Sequence, residues 1–432
     1  MMIQPARAIR GTLKLPGDKS ISHRAAMFAA LAHGVTKIDN FASSADCLST
    51  LDCLRALGVE IHQSGSTVVV TGSGKSGFKP PASPLDCGNS GTTMRLLSGI
   101  LAGQNFESEV TGDESLTKRP MGRVIAPLLE MGARVVSEGG FAPLRISGIN
   151  PLDSIEYTLP VASAQIKSCI LLAALNASGR TTVVEPTPTR DHSERMLRWF
   201  GVDVLTERAG GQTRLTVSGD AVLNARDIEV PSDISSAAFF IAAAACLPGS
   251  AINIENVGLN PSRTAVLDAF GTFGVDVEIA GRRELGNEPA GNIIVKGGLA
   301  AAADRNSNLI AGGVIANLID EVPILGVFGT QLEKGLEVRD AAELRVKESD
   351  RISAVVENLK RMGADIEEFD DGFKVERSRL RGAQVDSFGD HRIAMAFAVA
   401  GLLAEGETEI TGAECAAVSF PEFFDVLADV VV

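Results

Sequence analysis

Aromatic side chains are scarce in this sequence: Trp199 is the only tryptophan, Tyr157 the only tyrosine, and aromatics make up 5% of the residues. A stacking platform for single-stranded nucleic acid is therefore excluded as the organising feature. Positive charge is short as well. Forty Lys and Arg against 54 Asp and Glu leave a formal charge of −14, the wrong sign for nucleic acid or an acidic membrane. The five histidines are scattered, without HxH, HxxH or HExxH spacing, so neither a metal site nor a cofactor is expected. Cys47, Cys53, Cys87, Cys169, Cys246 and Cys415 contain no CxxC pair, and a chain of this size needs no disulfide staples. Reduced thiols in the cytoplasm are the expectation. The opening MMIQPARAIRGTLK lacks the apolar core of a signal peptide, and apolar stretches such as AAFFIAAAAC (237–246) are too short to span a bilayer.

What is present is a repeat. At 432 residues the chain is too long for one ordinary core, and two domains are the starting expectation. A small-residue helix followed by glycine and a short strand occurs six times, as in HRAAMFAALAHGVTKID and DHRIAMAFAVAGLLAEGETEI. The glycines closing these helices are Gly34, Gly103, Gly179, Gly249, Gly335 and Gly406, expected as left-handed C-terminal caps. An amphipathic helix ending in glycine alternates with it, at Gly58, Gly132, Gly201, Gly274 and Gly363. FFDVLADV supplies a sixth, truncated copy. Helix, strand, helix, strand, with further short alternating strands, predicts βαβαββ units with mixed sheets, an α/β fold. Six units make two sets of three, with the junction near Arg226–Pro231.

Unusual polar residues gather at the first helix start of each unit. LPGDKSISHR (15–24) places Lys19, Ser20 and Arg24 where a turn becomes a helix, with Asp18 or Ser20 as cap. Unpaired N–H groups exposed at the helix start and the positive end of the helix dipole favour anions there, and the added Lys and Arg favour phosphate or carboxylate. The other starts are GNSGTTMR, PVASAQIKS with Ser163, Gln165 and Lys167, PSDISS, DEVP with Asp320 and Glu321, and GDHR with Asp390, His391 and Arg392. ELRVKESDRI sets Lys347 and Arg351 at i,i+4, which predicts one shared helix face. VVVTGSGKSG (68–77) imitates a P-loop, but Val69 stands where that motif needs glycine. A turn between strands is expected there instead.

LPGDKSISHR, GNSGTTMR, DESLTKRPM, SAQIKS, DEVPIL, ELRVKESDRI, GDHRIAMA and the terminal SFPEF occur in the order of the 5-enolpyruvylshikimate-3-phosphate synthase family, which the whole chain resembles. The resemblance implies a two-domain enolpyruvyl transferase fold. Each domain would hold three βαβαββ units around a pseudo-threefold axis, an inside-out α/β barrel. It assigns 15–228 to one domain and 1–14 with 229–432 to the other, with the active site in the cleft between them. The implied reaction joins phosphoenolpyruvate to the 5-hydroxyl of shikimate 3-phosphate and releases phosphate, on the route to chorismate and the aromatic amino acids. The only partners expected are these small molecules, acting on a monomer.

The resemblance also implies residue roles. Lys19 contacts both substrates. Ser20, Arg24, Ser163, Ala164 (through its backbone), Gln165, Asp320 and Lys347 hold shikimate 3-phosphate. Asn89, Gly91, Arg119, Gln165, Arg351 and Arg392 hold phosphoenolpyruvate. Asp320 corresponds to the base that takes the hydroxyl proton and Glu348 to the acid that protonates the enol methylene, with Lys19 sharing the proton transfers. Two departures stand out: Ser419 replaces a lysine common before the terminal FP, and Ala164 replaces a serine. Gly91 is where alanine in certain members excludes the inhibitor glyphosate, so glycine implies sensitivity. The related UDP-N-acetylglucosamine enolpyruvyl transferases carry KN where this chain has Lys19-Ser20, and usually a cysteine near Arg119, which TGDESLTKRPM lacks. A non-catalytic anion-binding protein on the same scaffold would be expected to lose Lys19, Asp320 or Glu348, and all three are present.

Overall fold

Every unit begins with a helix that is buried all round. In Ile234–Cys246 only the last residue escapes full burial, and Lys19–Leu31 and His391–Leu403 are nearly as enclosed. A helix apolar on all faces must be surrounded by other elements, and alanine and glycine let those neighbours come close. At Gly99 a Cβ would lie 2.2 Å from the carbonyl oxygen of Cys169. That spacing admits only glycine where Gly91–Ala102 packs on Ala164–Ala174.

The computed structural model describes residues 1–299 and 308–432. The chain divides into two compact units, Gly17–Val230 with Leu285–Glu288, and Met1–Pro16 with Pro231–Glu284 and Pro289–Val432. Each has its own apolar core. Phe28, Met94, Leu171 and Leu197 belong to one, and Phe240, Phe328, Phe397 and Phe423 to the other.

The described residues form six small mixed sheets. In the second repeat Leu85–Asp86 runs parallel to Glu107–Thr111, which pairs antiparallel with Phe141–Ser147, itself paired antiparallel with Arg134–Glu138. The third and fifth repeats have the same order. In the first and fourth repeats the parallel strand comes from a distant stretch of chain. Ile228–Glu229 joins His33–Asp39, and Arg10–Lys14 joins Ala251–Gly258. Met2–Ile3 completes the sixth sheet against Thr408–Thr411.

The two glycine series behave differently. Gly58, Gly132, Gly201, Gly274 and Gly363 all have φ between 82° and 91°. At the first of them Gly58 N–H donates to Arg55 O at 2.9 Å and Val59 N–H to Leu54 O at 3.1 Å, and the same two bonds recur at the other four. These are Schellman caps. The other series makes no Schellman cap, although Gly34, Gly249, Gly335 and Gly406 also have positive φ. Lys19–Leu31 ends on extended Ala32, and Gly34 already lies within His33–Asp39. Gly103 is a cap residue with φ −90°.

The P-loop imitation is structural. Lys75 Nζ donates to the carbonyls of Leu175 and Gly219, both at 2.7 Å, and so caps the C-terminus of Ala164–Ala174.

Candidate functional site

The first unit closes a ring of hydrogen bonds around three helix starts. Asp18 caps Lys19–Leu31, its carboxylate accepting from Ile21 N–H at 2.8 Å. Ser90 caps Gly91–Ala102 and Ser163 caps Ala164–Ala174. His23 Nδ1 meets Thr50 Oγ1 at 2.6 Å, Thr50 meets Thr93 at 2.7 Å, Gln165 Nε2 donates to Thr92 Oγ1 at 2.9 Å, and Arg24 Nη2 donates to Ser168 Oγ at 2.8 Å. Burial, then the charges of Lys19 and Arg24, push the His23 imidazole well below its ordinary pKa. It is a neutral link in the ring.

Four cations face this ring. Lys19, the first helical residue, lies 2.9 Å from Asp46 Oδ2. Arg24 is 3% exposed. It donates to Ser193 Oγ (2.8 Å), Ser168 Oγ (2.8 Å) and Ser20 O (2.9 Å), all neutral acceptors. Desolvation lowers its pKa to about 10. Arg119 donates to Asn89 Oδ1 at 2.6 Å and Ser115 Oγ at 3.0 Å, while Asn89 Nδ2 donates to Asp113 at 2.7 Å. Arg95 joins the segments, with Nη1 donating to Gln165 Oε1 at 2.8 Å and Nη2 to Pro120 O at 3.3 Å. A Cβ on Gly91 would lie 2.7 Å from Arg95 Nη1 and 3.6 Å from Arg119 Nη1. Glycine there leaves room at the helix start beside two guanidinium groups.

The second unit organises its cations around Arg351, which is 2% exposed. Nε bonds Asp390 Oδ2 at 2.8 Å, Nη2 bonds Glu348 Oε2 at 2.7 Å, and Nη1 lies 3.5 Å from Asp320 Oδ1. Asp320 and Glu348 thus sit on one guanidinium. Asp390 is fully buried and also caps His391–Leu403, accepting from Arg392 N–H at 2.8 Å. Arg392 is 7% exposed, and its Nε has no hydrogen-bond partner. Lys347 is not on the helix of Arg351. Asp350 caps that helix, which begins at Arg351, and Lys347 is extended. The expected shared face is replaced by a change from extended backbone to helix at Asp350, between the two cations. Desolvation lowers the Lys347 ammonium below its ordinary pKa, with Asp320 opposing.

Lys167 has no place among the ligand-facing groups. It is fully buried and bonds Glu194 Oε1 at 2.7 Å and Glu185 at 3.1 Å. Asp233, Ser235, Glu321 and Arg263 likewise form a buried cluster in the second unit. Ser419 ends the turn Ala413–Val418, its Oγ without a partner. Asp46, Arg95, Ser168 and Ser193 escaped the sequence reading. Each lies outside the cap positions or one helical turn inward, where a polar residue gives no periodic signal.

The comparisons with known proteins agree across the chain. Residues 3–427 match the model of the EPSP synthase (3-phosphoshikimate 1-carboxyvinyltransferase) family. The 3-phosphoshikimate 1-carboxyvinyltransferase of Salinibacter ruber is 50% identical over 99% of this chain and 98% of its own. That of Bacillus subtilis is 49% identical over 98% and 97%. The EPSP synthase structure from Acinetobacter baumannii superposes with a TM-score of 0.87 at 43% identity, covering 100% of this chain and 98% of that one. The enolpyruvyl transferase NikO from Streptomyces tendae shares the fold at 16% identity, with a TM-score of 0.79 over 99% and 96% of the two chains. Full-length matches at half identity place this chain in the EPSP synthase (3-phosphoshikimate 1-carboxyvinyltransferase) family.

Proposed function

We propose that the residues gathered in the two units carry out the family's reaction between them. The chain transfers the enolpyruvyl group of phosphoenolpyruvate to the 5-hydroxyl of shikimate 3-phosphate in the shikimate pathway. Arg24, Lys19, Ser20, Ser163, Gln165, the backbone at Ala164, Asp320 and Lys347 hold shikimate 3-phosphate. Arg119, Asn89, Gly91, Gln165, Lys19, Arg351 and Arg392 hold phosphoenolpyruvate. One observation carries this reading: Arg24 and Arg392, 3% and 7% exposed, have no carboxylate bonded to their side chains among the described residues. A buried charge without a counter-ion is costly, and both substrates bring anions that would remove the cost.

The chemistry follows from the second unit. Asp320 accepts the proton of the 5-hydroxyl as its oxygen attacks C2 of phosphoenolpyruvate. Glu348 delivers a proton to the methylene carbon, giving a tetrahedral adduct. Glu348 then takes a proton back from the methyl carbon while the proton held by Asp320 passes to the departing phosphate, which forms the enol ether, with Lys19 sharing the proton traffic. Arg351 fixes both carboxylates relative to each other.

The same reading includes three βαβαββ units around a pseudo-threefold axis in each of two domains, 15–228 and 1–14 with 229–432. It also includes a monomeric, cytoplasmic protein. Six free thiols and the absence, among the described residues, of any single helix long and apolar enough to cross a membrane support the compartment.

The decisive assay is phosphate release from phosphoenolpyruvate, with shikimate 3-phosphate or UDP-N-acetylglucosamine as acceptor. Release is expected with shikimate 3-phosphate alone; release only with the sugar nucleotide would overturn the assignment. A pH series tests Lys347. Because desolvation depresses its pKa, its charge is lost as pH rises through a value below that of an ordinary lysine. KM for shikimate 3-phosphate is expected to climb on that alkaline limb, and Lys347→Arg should move the limb upward. An identical profile in the variant would remove Lys347 from the substrate.

A further inference from the structure

Five non-glycine residues have positive φ among the described residues: Asn40, Asn256, Asn287, Asp340 and Phe388. Four are Asn or Asp, whose short polar side chains tolerate that region. Phe388, at 52°, is the exception, and Gly389 follows at 68°. Asp390 N–H donates to Ser387 O at 2.9 Å, so 387–390 is a turn with both central residues left-handed. Asn-Gly is the comfortable pair for such a turn.

The turn is held firmly. Phe388 N–H donates to Asp386 Oδ1 at 2.7 Å, Gly389 N–H to Ser387 Oγ at 3.2 Å, and Ser387 Oγ to Gly412 O at 2.9 Å. These bonds use backbone and neighbouring side chains, and none needs an aromatic ring at 388. The ring is also poorly buried: Phe388 is 37% exposed, while the largest buried side chains are mostly phenylalanines. A residue both strained and exposed serves the fold less well than asparagine would. Strain kept at one position in this way points to function. The position is telling, because the turn leads directly into Asp390, which holds Arg351, and then Arg392.

A guanidinium attracts any small anion and cannot by charge alone tell phosphoenolpyruvate from phosphate. An apolar surface beside it can, because phosphoenolpyruvate carries a planar vinyl face and phosphate does not. We infer that Phe388 is a specificity-determining residue, its ring forming the apolar wall of the anion site at Arg392 and selecting phosphoenolpyruvate over inorganic phosphate. This rests on the proposed placement of phosphoenolpyruvate at Arg392.

The test compares Phe388→Asn, Phe388→Tyr and Arg392→Ala in the full chain, reading KM for phosphoenolpyruvate, the competitive Ki of inorganic phosphate, kcat and Tm. Phe388→Asn is expected to raise KM about tenfold, to leave the phosphate Ki within about twofold, and to hold or raise Tm. Phe388→Tyr should restore KM. An unmoved KM in Phe388→Asn beside a raised one in Arg392→Ala overturns the role of Phe388 alone, as does a parallel rise of KM and phosphate Ki. If Arg392→Ala moves neither constant, the placement at Arg392 falls and the inference falls with it.

Discussion

Lys19→Ala is expected to lower kcat/KM by about 10³-fold with little change in Tm. Lys19 stands at the first helical position of Lys19–Leu31, where dipole and unpaired N–H groups already favour anions. Its ammonium is 2.9 Å from Asp46 Oδ2, and its side chain keeps 17% exposure. Substrate can therefore reach it. Removing it deletes a positive charge from a phosphate site and a proton carrier from the reaction. The fold loses one partly exposed ion pair, and Asp46 remains in the first turn of Ala45–Ala56, where a carboxylate is favourable. Steady-state phosphate release beside a thermal scan checks both halves. A variant retaining a tenth of the parent activity would exclude Lys19 from the chemistry.

Lys167→Ala is expected to do the reverse, destabilising the protein by about 3–5 kcal/mol. The lysine is fully buried between Glu185 and Glu194, themselves 2% and 3% exposed. Its removal leaves two buried carboxylates facing each other without a cation. Tm should fall by roughly 10 °C on this estimate, while kcat per folded molecule at low temperature stays near the parent value.

Burial already raises the pKa of Glu194, with Lys167 as the largest opposing influence. Without the lysine the opposing pull is gone. A folded-state pKa raised above the unfolded one means that folding takes up protons. Stability is then lost as pH rises through the folded value and recovered as pH falls. The deficit of Lys167→Ala should therefore be larger at about pH 8 than at about pH 6. Replacing the trio by Met, Gln and Gln should recover most of the loss. A large loss of activity at unchanged Tm would instead move Lys167 into the site.

These two lysines look alike in sequence. Each lies near the start of a unit's first helix, among serines. Position relative to the cap separates them. Lys19 directly follows the cap Asp18 and points where the helix opens, whereas Lys167 lies one turn in, on a helix enclosed on every side. The glycines teach the same lesson. Both series were equally regular in sequence, yet only the amphipathic helices close on a Schellman glycine; Gly34, Gly249, Gly335 and Gly406 also have positive φ but stand beyond their helix ends. ELRVKESDRI suggested one helix face for Lys347 and Arg351, but Asp350 could cap only by breaking the helix between them.

The sequence by itself determined the sixfold α/β repeat, the acidic envelope with cations at helix starts, and the family. Those depend on local periodicity, cap chemistry and contiguous motifs, all of which are short-range along the chain. Only the tertiary structure decided which polar groups are partners. Arg24 draws on Ser168 and Ser193, Arg95 on Gln165, and Arg351 on Asp390, residues tens to more than a hundred positions apart. It also assigned the parallel strands Arg10–Lys14 and Ile228–Glu229 to sheets remote in sequence. Electrostatic pairing and strand addition depend on distance in space, and spacing along the chain does not encode it.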